Sequence, residues 1–274
     1  MRAAHWPGGE RGTVLLFPGR TEYIEKYGEV AARLVAHGLH VATIDWRGQG
    51  LSERTHRDES VGHVDEFAEY QRDVAALLAF AADLPRPLHL LAHSMGGAIG
   101  LRALHEGLPV KAAVFSAPMW GLTMKPHLRP AAWVLSSLSR HLSFDGNYAP
   151  GTGPAHLVET AAFELNALTG DRAQWERMQR QYAAHPELAL GGPSLAWLNE
   201  ALKEMKALRA IPAPDVPAMA GVGTREAIVA PYAIHDRMRG WGETRVYEGG
   251  QHELMMEVPE TRGAFLGAAL EMFS

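Results

Sequence analysis

A serine at the apex of a tight turn is the residue around which this chain can do chemistry. Leu90 to Gly100 reads Leu-Leu-Ala-His-Ser-Met-Gly-Gly-Ala-Ile-Gly. The apolar run Leu88 to Ala92 leads into His93-Ser94-Met95, and two glycines and a small-residue helical pattern follow, which is how a buried strand, a sharp turn and a helix are written. A serine at such an apex is held out where it can attack a carbonyl carbon. Its small neighbours Ala92 and Gly96 suit a turn that brings strand and helix backbones close together. The usual fingerprint is Gly-x-Ser-x-Gly, and Ala92 stands where its first glycine would be. A serine hydroxyl is a weak nucleophile at neutral pH, so Ser94 needs a base within hydrogen-bond reach and a third group that orients the base. The chain holds 14 histidines. His252 stands out among them because Gly249-Gly250 frees the backbone before it and a helix follows. Glu226, in the loop after an earlier strand, is the candidate acid. The order nucleophile, acid, histidine is that of serine hydrolases built on a strand-turn-helix elbow. Asp215 and Asp236 are rival acids, but Asp215 precedes its strand and Asp236 falls inside the following helix. The backbone N–H groups of Met95 and Arg20 are the expected donors to a developing oxyanion. The Arg20 side chain is not needed for that role; it reads as solvated, with contact to a head-group phosphate as the alternative.

These residues need elements to position them. Thr13–Phe17, His40–Ile44, Leu88–Ala92, Val110–Phe115, Ala218–Val222 and Glu243–Tyr247 read as strands. Helical patterns fall at 29–37, 67–83, 232–239 and 259–273. Strand and helix in alternation predict an α/β protein with a mostly parallel sheet covered on both faces. Pro18-Gly19-Arg20, the Asp45 loop, Ser94 and Ser116 each follow a strand and should share the carboxyl edge, where ligands bind in such sheets. The alternation stops after Pro118. From Met119 to about Arg209 there is no convincing strand, and helical patterns run over 156–169, 171–185 and 194–208. The chain is therefore divided into a core of residues 1–118 and 210–274 and a helical insertion, residues 119–209, expected to sit over the site as a cap or lid. Its apolar residues Trp120, Trp133, Leu135, Leu138 and Trp197 suggest an acyl-binding wall, with Trp120 and Trp133 named as substrate contacts.

Composition narrows the classes further. The chain has 274 residues, 47% of them hydrophobic, and carries a formal net charge of −5. Such a chain is long enough for a sizeable core, and its charge gives no electrostatic case for nucleic acid. The absence of cysteine excludes a cysteine nucleophile, disulfides and thiolate metal sites. The N-terminus lacks the apolar stretch of a signal peptide, and no apolar run is long enough to span a bilayer. The expected location is cytoplasmic, with peripheral membrane contact through the cap.

Taken together, Gly19-Arg20-Thr21-Glu22-Tyr23-Ile24-Glu25-Lys26-Tyr27, Asp45-Trp46-Arg47-Gly48-Gln49-Gly50-Leu51-Ser52, His93-Ser94-Met95-Gly96-Gly97, Ser116-Ala117-Pro118-Met119 and His252-Glu253 resemble the α/β-hydrolase group that contains bacterial lysophospholipase L2 and monoacylglycerol lipases. The resemblance covers nearly the whole chain. It implies hydrolysis of a carboxylic ester of a monoacyl lipid, a lysophospholipid before a monoacylglycerol or a simple ester, through an acyl-serine and without cofactor or metal. It assigns the nucleophile to Ser94, the base to His252 and the oxyanion donors to Arg20 and Met95. The family's acid is usually Asp, where this chain has Glu226, and its usual histidine before Gly19 is Pro18. The family also has a further strand pairing with the segment near Ala3 to Trp6. A non-catalytic binding protein on the same fold is the reading from another class.

Overall fold

The computed structural model describes residues 1–274. Seven strands form one sheet: β1 (Arg2–Trp6), β2 (Thr13–Phe17), β3 (His40–Asp45), β4 (Leu88–His93), β5 (Ala113–Ser116), β6 (Ala218–Gly223) and β7 (Glu243–Tyr247). Their spatial order is β1-β3-β2-β4-β5-β6-β7; β1 runs antiparallel to β3 and all other pairs are parallel. The central strands β2, β4, β5 and β6 are buried along their whole length. That burial explains why they read as continuous apolar runs and not as alternating ones. The helices packed around the sheet are α1 (Gly28–Ala36), α2 (Glu69–Phe80), α3 (Met95–His105), α8 (Pro231–Met238) and α9 (Pro259–Met272). Two apolar cores result. One is centred on Phe17, Trp46, Leu90 and Phe115, the other on Leu16, Leu34, Val114 and Phe265.

Between β5 and β6 the chain is helical: α4 (Leu128–His141), α5 (Leu157–Thr160), α6 (Arg172–Ala184) and α7 (Leu195–Ala210). Two of the sequence expectations fail here, each for a physical reason. The predicted helix over 156–169 is only the four residues of α5, followed by a 3₁₀ turn at Phe163–Leu165. Asn166 Oδ1 accepts from the N–H groups of Leu168 and Thr169, and Leu168 O accepts from Glu253 N at 2.8 Å. The backbone there is committed to a turn and to the loop after β7, so Phe163 and Leu168 pack beside Trp175 without a helix to carry them. Conversely α4, read only as an apolar stretch, is a 14-residue helix. Its fully buried residues are Ser136 and Ser139, while Leu128, Val134 and Leu138 face outward. No helix of the molecule is long and apolar enough to cross a membrane.

Candidate active site

β4 ends at His93 and α3 begins at Met95, which leaves Ser94 alone on the turn with φ 50° and ψ −117°. A positive φ is costly for a residue with a Cβ and persists only when its surroundings hold it. Here Ser94 N donates to Ser116 O at 3.1 Å, and Ser94 O accepts from Gly97 N at 2.9 Å and Met119 N at 2.8 Å. The helix then passes so close to β2 that a Cβ on Gly96 would lie 2.3 Å from Phe17 O, so only glycine fits. Ala92 is different. It is a fully buried strand residue without a positive φ, so its methyl is accommodated in the core.

His252 Nε2 lies 2.9 Å from Ser94 Oγ, and its Nδ1 lies 2.8 Å from Glu226 Oε2. Two loops that start from neighbouring strands make this possible. A Cβ on Gly223, at the end of β6, would fall 2.0 Å from Gly250 O, and Arg225 N donates to that same carbonyl at 2.9 Å. The loops are thus pressed together at Gly223 and Gly250, and the longer side chain of Glu226 closes the remaining gap to the imidazole. Its other oxygen accepts from Ile228 N at 2.6 Å and Val229 N at 3.0 Å. Burial works to raise the Glu226 pKa, but the hydrogen bond and charge of His252 and these two N–H groups outweigh it and hold the carboxyl below its ordinary value. The rivals lie elsewhere: Asp215 is exposed, and Asp236 pairs with Arg209 and Arg239.

Met95 is the first residue of α3, so its N–H has no acceptor within the helix. Arg20, in the loop after β2, likewise has an N–H that donates to no protein group. Its side chain is not solvated as the sequence suggested. Nη1 donates to Gly191 O at 3.0 Å, and the guanidinium carbon sits 5.5 Å from the centroid of the Trp197 ring.

A model of the serine aminopeptidase S33 family matches residues 8–259. Lysophospholipase L2 of Escherichia coli strain K12 is 32% identical over 95% of this chain and 80% of its own length. The probable lysophospholipase L2 of Haemophilus influenzae is 31% identical over 92% and 80%. The chain belongs to this family. Among solved structures, a soluble variant of the Saccharomyces cerevisiae monoglyceride lipase in complex with a substrate analog superposes with a TM-score of 0.76 at 21% identity, covering 99% of this chain and 90% of the other. The fold is accordingly the α/β-hydrolase fold.

Under the site of this family member lies a buried ionic group to which sequence reasoning assigned no role. Glu22 takes the N–H of Gly19 on Oε2 and also the hydroxyl of Tyr27, while Lys26 Nζ bridges Glu22 Oε1 at 2.7 Å and Glu253 Oε1 at 2.6 Å. Burial opposes ionisation of Glu22, but Lys26 in contact, the neighbouring His93 and the donated hydrogen bonds hold its carboxyl well below the usual range. Glu253, where burial prevails, is raised. The cluster ties the Gly19-Arg20 loop to the residue next to His252. The available signal was the i, i+4 pair Glu22 and Lys26 combined with an acid adjoining the histidine. Glu22, His93 and Glu253 could offer ligand atoms to a metal, all within 4.8 Å of one another, but the Lys26 ammonium already supplies the positive charge between the two carboxylates.

Ser94 and His252 open into a cavity of about 500 Å³, walled by Met119, Leu122, Trp197, Leu198, Ile228 and Val229 and also by Arg20, His156 and Tyr182. Trp120 and Trp133, expected as substrate contacts, do not line it. Trp120 is buried against Phe115 and Trp241 and donates Nε1 to Gly97 O at 3.1 Å, so it is a core residue. Trp133 packs on the same core beside Lys206. The tryptophan that reaches the cavity is Trp197, placed by α7, whose N-cap Ser194 accepts from Trp197 N.

Proposed function

We propose that this protein is a serine hydrolase that cleaves the carboxylic ester of a monoacyl lipid, a lysophospholipid before a monoacylglycerol. The observation that carries the reading is the continuous chain of hydrogen bonds from Glu226 through His252 to Ser94 at the wall of a partly apolar cavity. In this mechanism His252 Nε2 removes the Ser94 proton as Oγ attacks the ester carbonyl. The N–H groups of Met95 and Arg20 receive the oxyanion, and the imidazolium then gives its proton to the departing glycerol oxygen. Water repeats the cycle against the acyl-serine and releases the fatty acid. Glu226 keeps Nδ1 protonated and stabilises the imidazolium throughout. The names of the relatives, lysophospholipases in two bacteria, support the lipid assignment.

Residues 119–209 are assigned in the same reading as a cap over residues 1–118 and 210–274. Met119, Leu122, Trp197 and Leu198 contribute its side of the cavity wall. The outward Leu128, Val134 and Leu138 of α4 support peripheral contact with a membrane, in the cytoplasm. Labelling by a fluorophosphonate probe, abolished in Ser94→Ala, tests the nucleophile and separates an enzyme from a binding protein. Turnover of lysophosphatidylcholine, monoacylglycerol and short p-nitrophenyl esters tests the substrate. Rapid cleavage of short esters with no lipid cleaved would leave a general carboxylesterase.

A further inference from the structure

Four half-buried arginines, Arg20, Arg33, Arg54 and Arg237, have no carboxylate partner, and Arg20 is the one of them that lines the cavity of Ser94 and His252. Arg2, Arg47 and Arg102 each contact a carboxylate, and Arg54 donates to four backbone carbonyls. Arg20 has no carboxylate within 4.0 Å and makes a single side-chain hydrogen bond, to Gly191 O. Its Nε and Nη2 donate to no protein group and remain accessible where the residue lines the cavity. The two acids that also face this cavity are already engaged. Lys26 joins Glu22 to Glu253, and Glu22 additionally holds Gly19 N and Tyr27. Desolvation pushes the Arg20 guanidinium down to about 10, which still leaves it charged at neutral pH, and pushes the neighbouring His156 down to about 3, which leaves it neutral. A guanidinium without a counter-ion in a half-apolar wall is unfavourable unless an anion arrives to share it. The Trp197 ring, 5.5 Å from the guanidinium carbon, and the bond from Nη1 to Gly191 O position the guanidinium without engaging Nε or Nη2. The guanidinium lines the same cavity as Ser94 and His252, so an anion held there shares that space with the ester being cleaved in the proposed function.

Resting on that proposed function, we infer that Arg20 is a phosphate-binding residue: its free Nε and Nη2 donors take the phosphate of the substrate's head group and select phosphate-bearing monoacyl esters over neutral ones. A planar fork presenting two parallel N–H groups matches two oxygens of a phosphate, a geometry that an ammonium cannot reproduce. A neutral monoacylglycerol leaves those donors empty.

The test compares kcat/KM of the wild type, Arg20→Gln and Arg20→Lys on lysophosphatidylglycerol and on a monoacylglycerol of the same acyl chain. Arg20→Gln is expected to lower the ratio of the two by about tenfold or more, mainly through KM, with Arg20→Lys retaining part of the preference. An equal fall on both substrates would reduce Arg20 to a structural anchor for Gly191, and an unchanged ratio would likewise overturn the inference. A second arm uses p-nitrophenyl butyrate as substrate and glycerol 3-phosphate, glycerol and inorganic phosphate as inhibitors. Competition by glycerol 3-phosphate alone, weakened in Arg20→Gln, supports a head-group site. Equal competition by inorganic phosphate makes it a site for free phosphate and removes the substrate preference. This arm also separates the two levels of the argument: a wild type labelled at Ser94 that cleaves neither lipid ends the lipid reading, while the inhibitors still decide what Arg20 binds.

Discussion

Ser94, Glu226 and His252 hang from loops at the carboxyl edge of the sheet, and their backbones are fixed by contacts that allow almost no substitution. Gly96 abuts Phe17 O, Gly223 abuts Gly250 O, and Ser94 is pinned by three backbone hydrogen bonds. The segment between β5 and β6 faces the same cavity by other means. Trp197, Leu198, Leu157 and Tyr182 reach it from helices that pack through side chains, and the fully buried residues of α4 are two serines, with Ala132 and Trp133 half-buried against the core. One region sets positions to a fraction of an ångström through its backbone. The other sets the volume and polarity of a space through side chains that can repack. Chemistry demands the first and tolerates the second, since an imidazole displaced by 1 Å no longer shares a proton with a hydroxyl, whereas an acyl chain adapts to a changed wall.

The sharpest test of this contrast is at the backbone-fixed side. Glu226→Gln keeps the shape of the side chain but cannot hold His252 Nδ1 as a donor to a carboxylate. The expected loss in kcat is about 10⁴-fold, with a melting temperature close to that of the wild type. Asp215→Asn and Asp236→Asn should retain near-normal kcat. Activity in Glu226→Gln combined with inactivity in either control would move the acid to that other residue.

Lys26→Met comes next. It removes the ammonium between Glu22 and Glu253 and leaves two buried carboxyls facing each other, a change that costs about 3–5 kcal/mol in comparable buried pairs. Urea denaturation measures it. Replacing Glu22 and Glu253 by Gln on top of Lys26→Met should recover much of the stability, because what is costly is the uncompensated charge.

A smaller effect is expected on acidification. His89 and His93 are buried and neutral, each pushed down to about 4 by desolvation, so the unfolded chain binds protons that the folded one refuses. Their contribution is complete above about pH 6.5 and is lost as the pH falls toward 4. Glu22 acts in the same direction lower down: its depressed pKa gives stability that is present above about 4.5 and lost as the pH falls toward 2. Melting temperature should therefore decline steadily from pH 7 to 4 and more steeply below that. A flat profile would show that these groups are not shifted as their burial implies.

How much of this was readable in the sequence divides along the same line. Thr13–Phe17 was read with its observed bounds because a buried parallel strand leaves an unbroken apolar or β-branched run between glycine and proline signals, whereas Glu243–Tyr247, an edge strand with only Tyr247 buried, was legible through its β-branched and aromatic residues between Gly242 and Gly249. The elbow and the two late loops were legible because close backbone approach demands glycine at Gly96 and Gly223, and a positive φ of 71° favours it at Gly249. The side-chain-built region left weaker marks. Residues 156–169 carry helical apolar spacing but spend their backbone on the β7 loop, and α4 carries Leu128, Val134 and Leu138 on the outside. Trp120 and Trp133 show the same limit: an aromatic residue is apolar whether it faces a core or a ligand, and only α7 decides that Trp197 is the one facing in. The Arg20 side chain was misplaced because nothing in its neighbours along the chain announces Gly191 and Trp197, more than 170 residues away.

The smallest effect should come from α4, where the tolerant region meets solvent. Leu138 is 48% exposed and Val134 57%, so converting both to serine removes little burial, and each change should alter stability by no more than about 0.5 kcal/mol. Hydrolysis of soluble p-nitrophenyl butyrate should be unaffected, because neither residue lines the cavity. Turnover of lysophospholipid presented in vesicles should fall several-fold if this face meets the membrane, since the helix would lose the apolar surface it inserts. Equal losses on soluble and vesicle substrates would mean instead that α4 transmits its packing to the site, and the division between a rigid chemical edge and an adaptable helical region would then have to be redrawn.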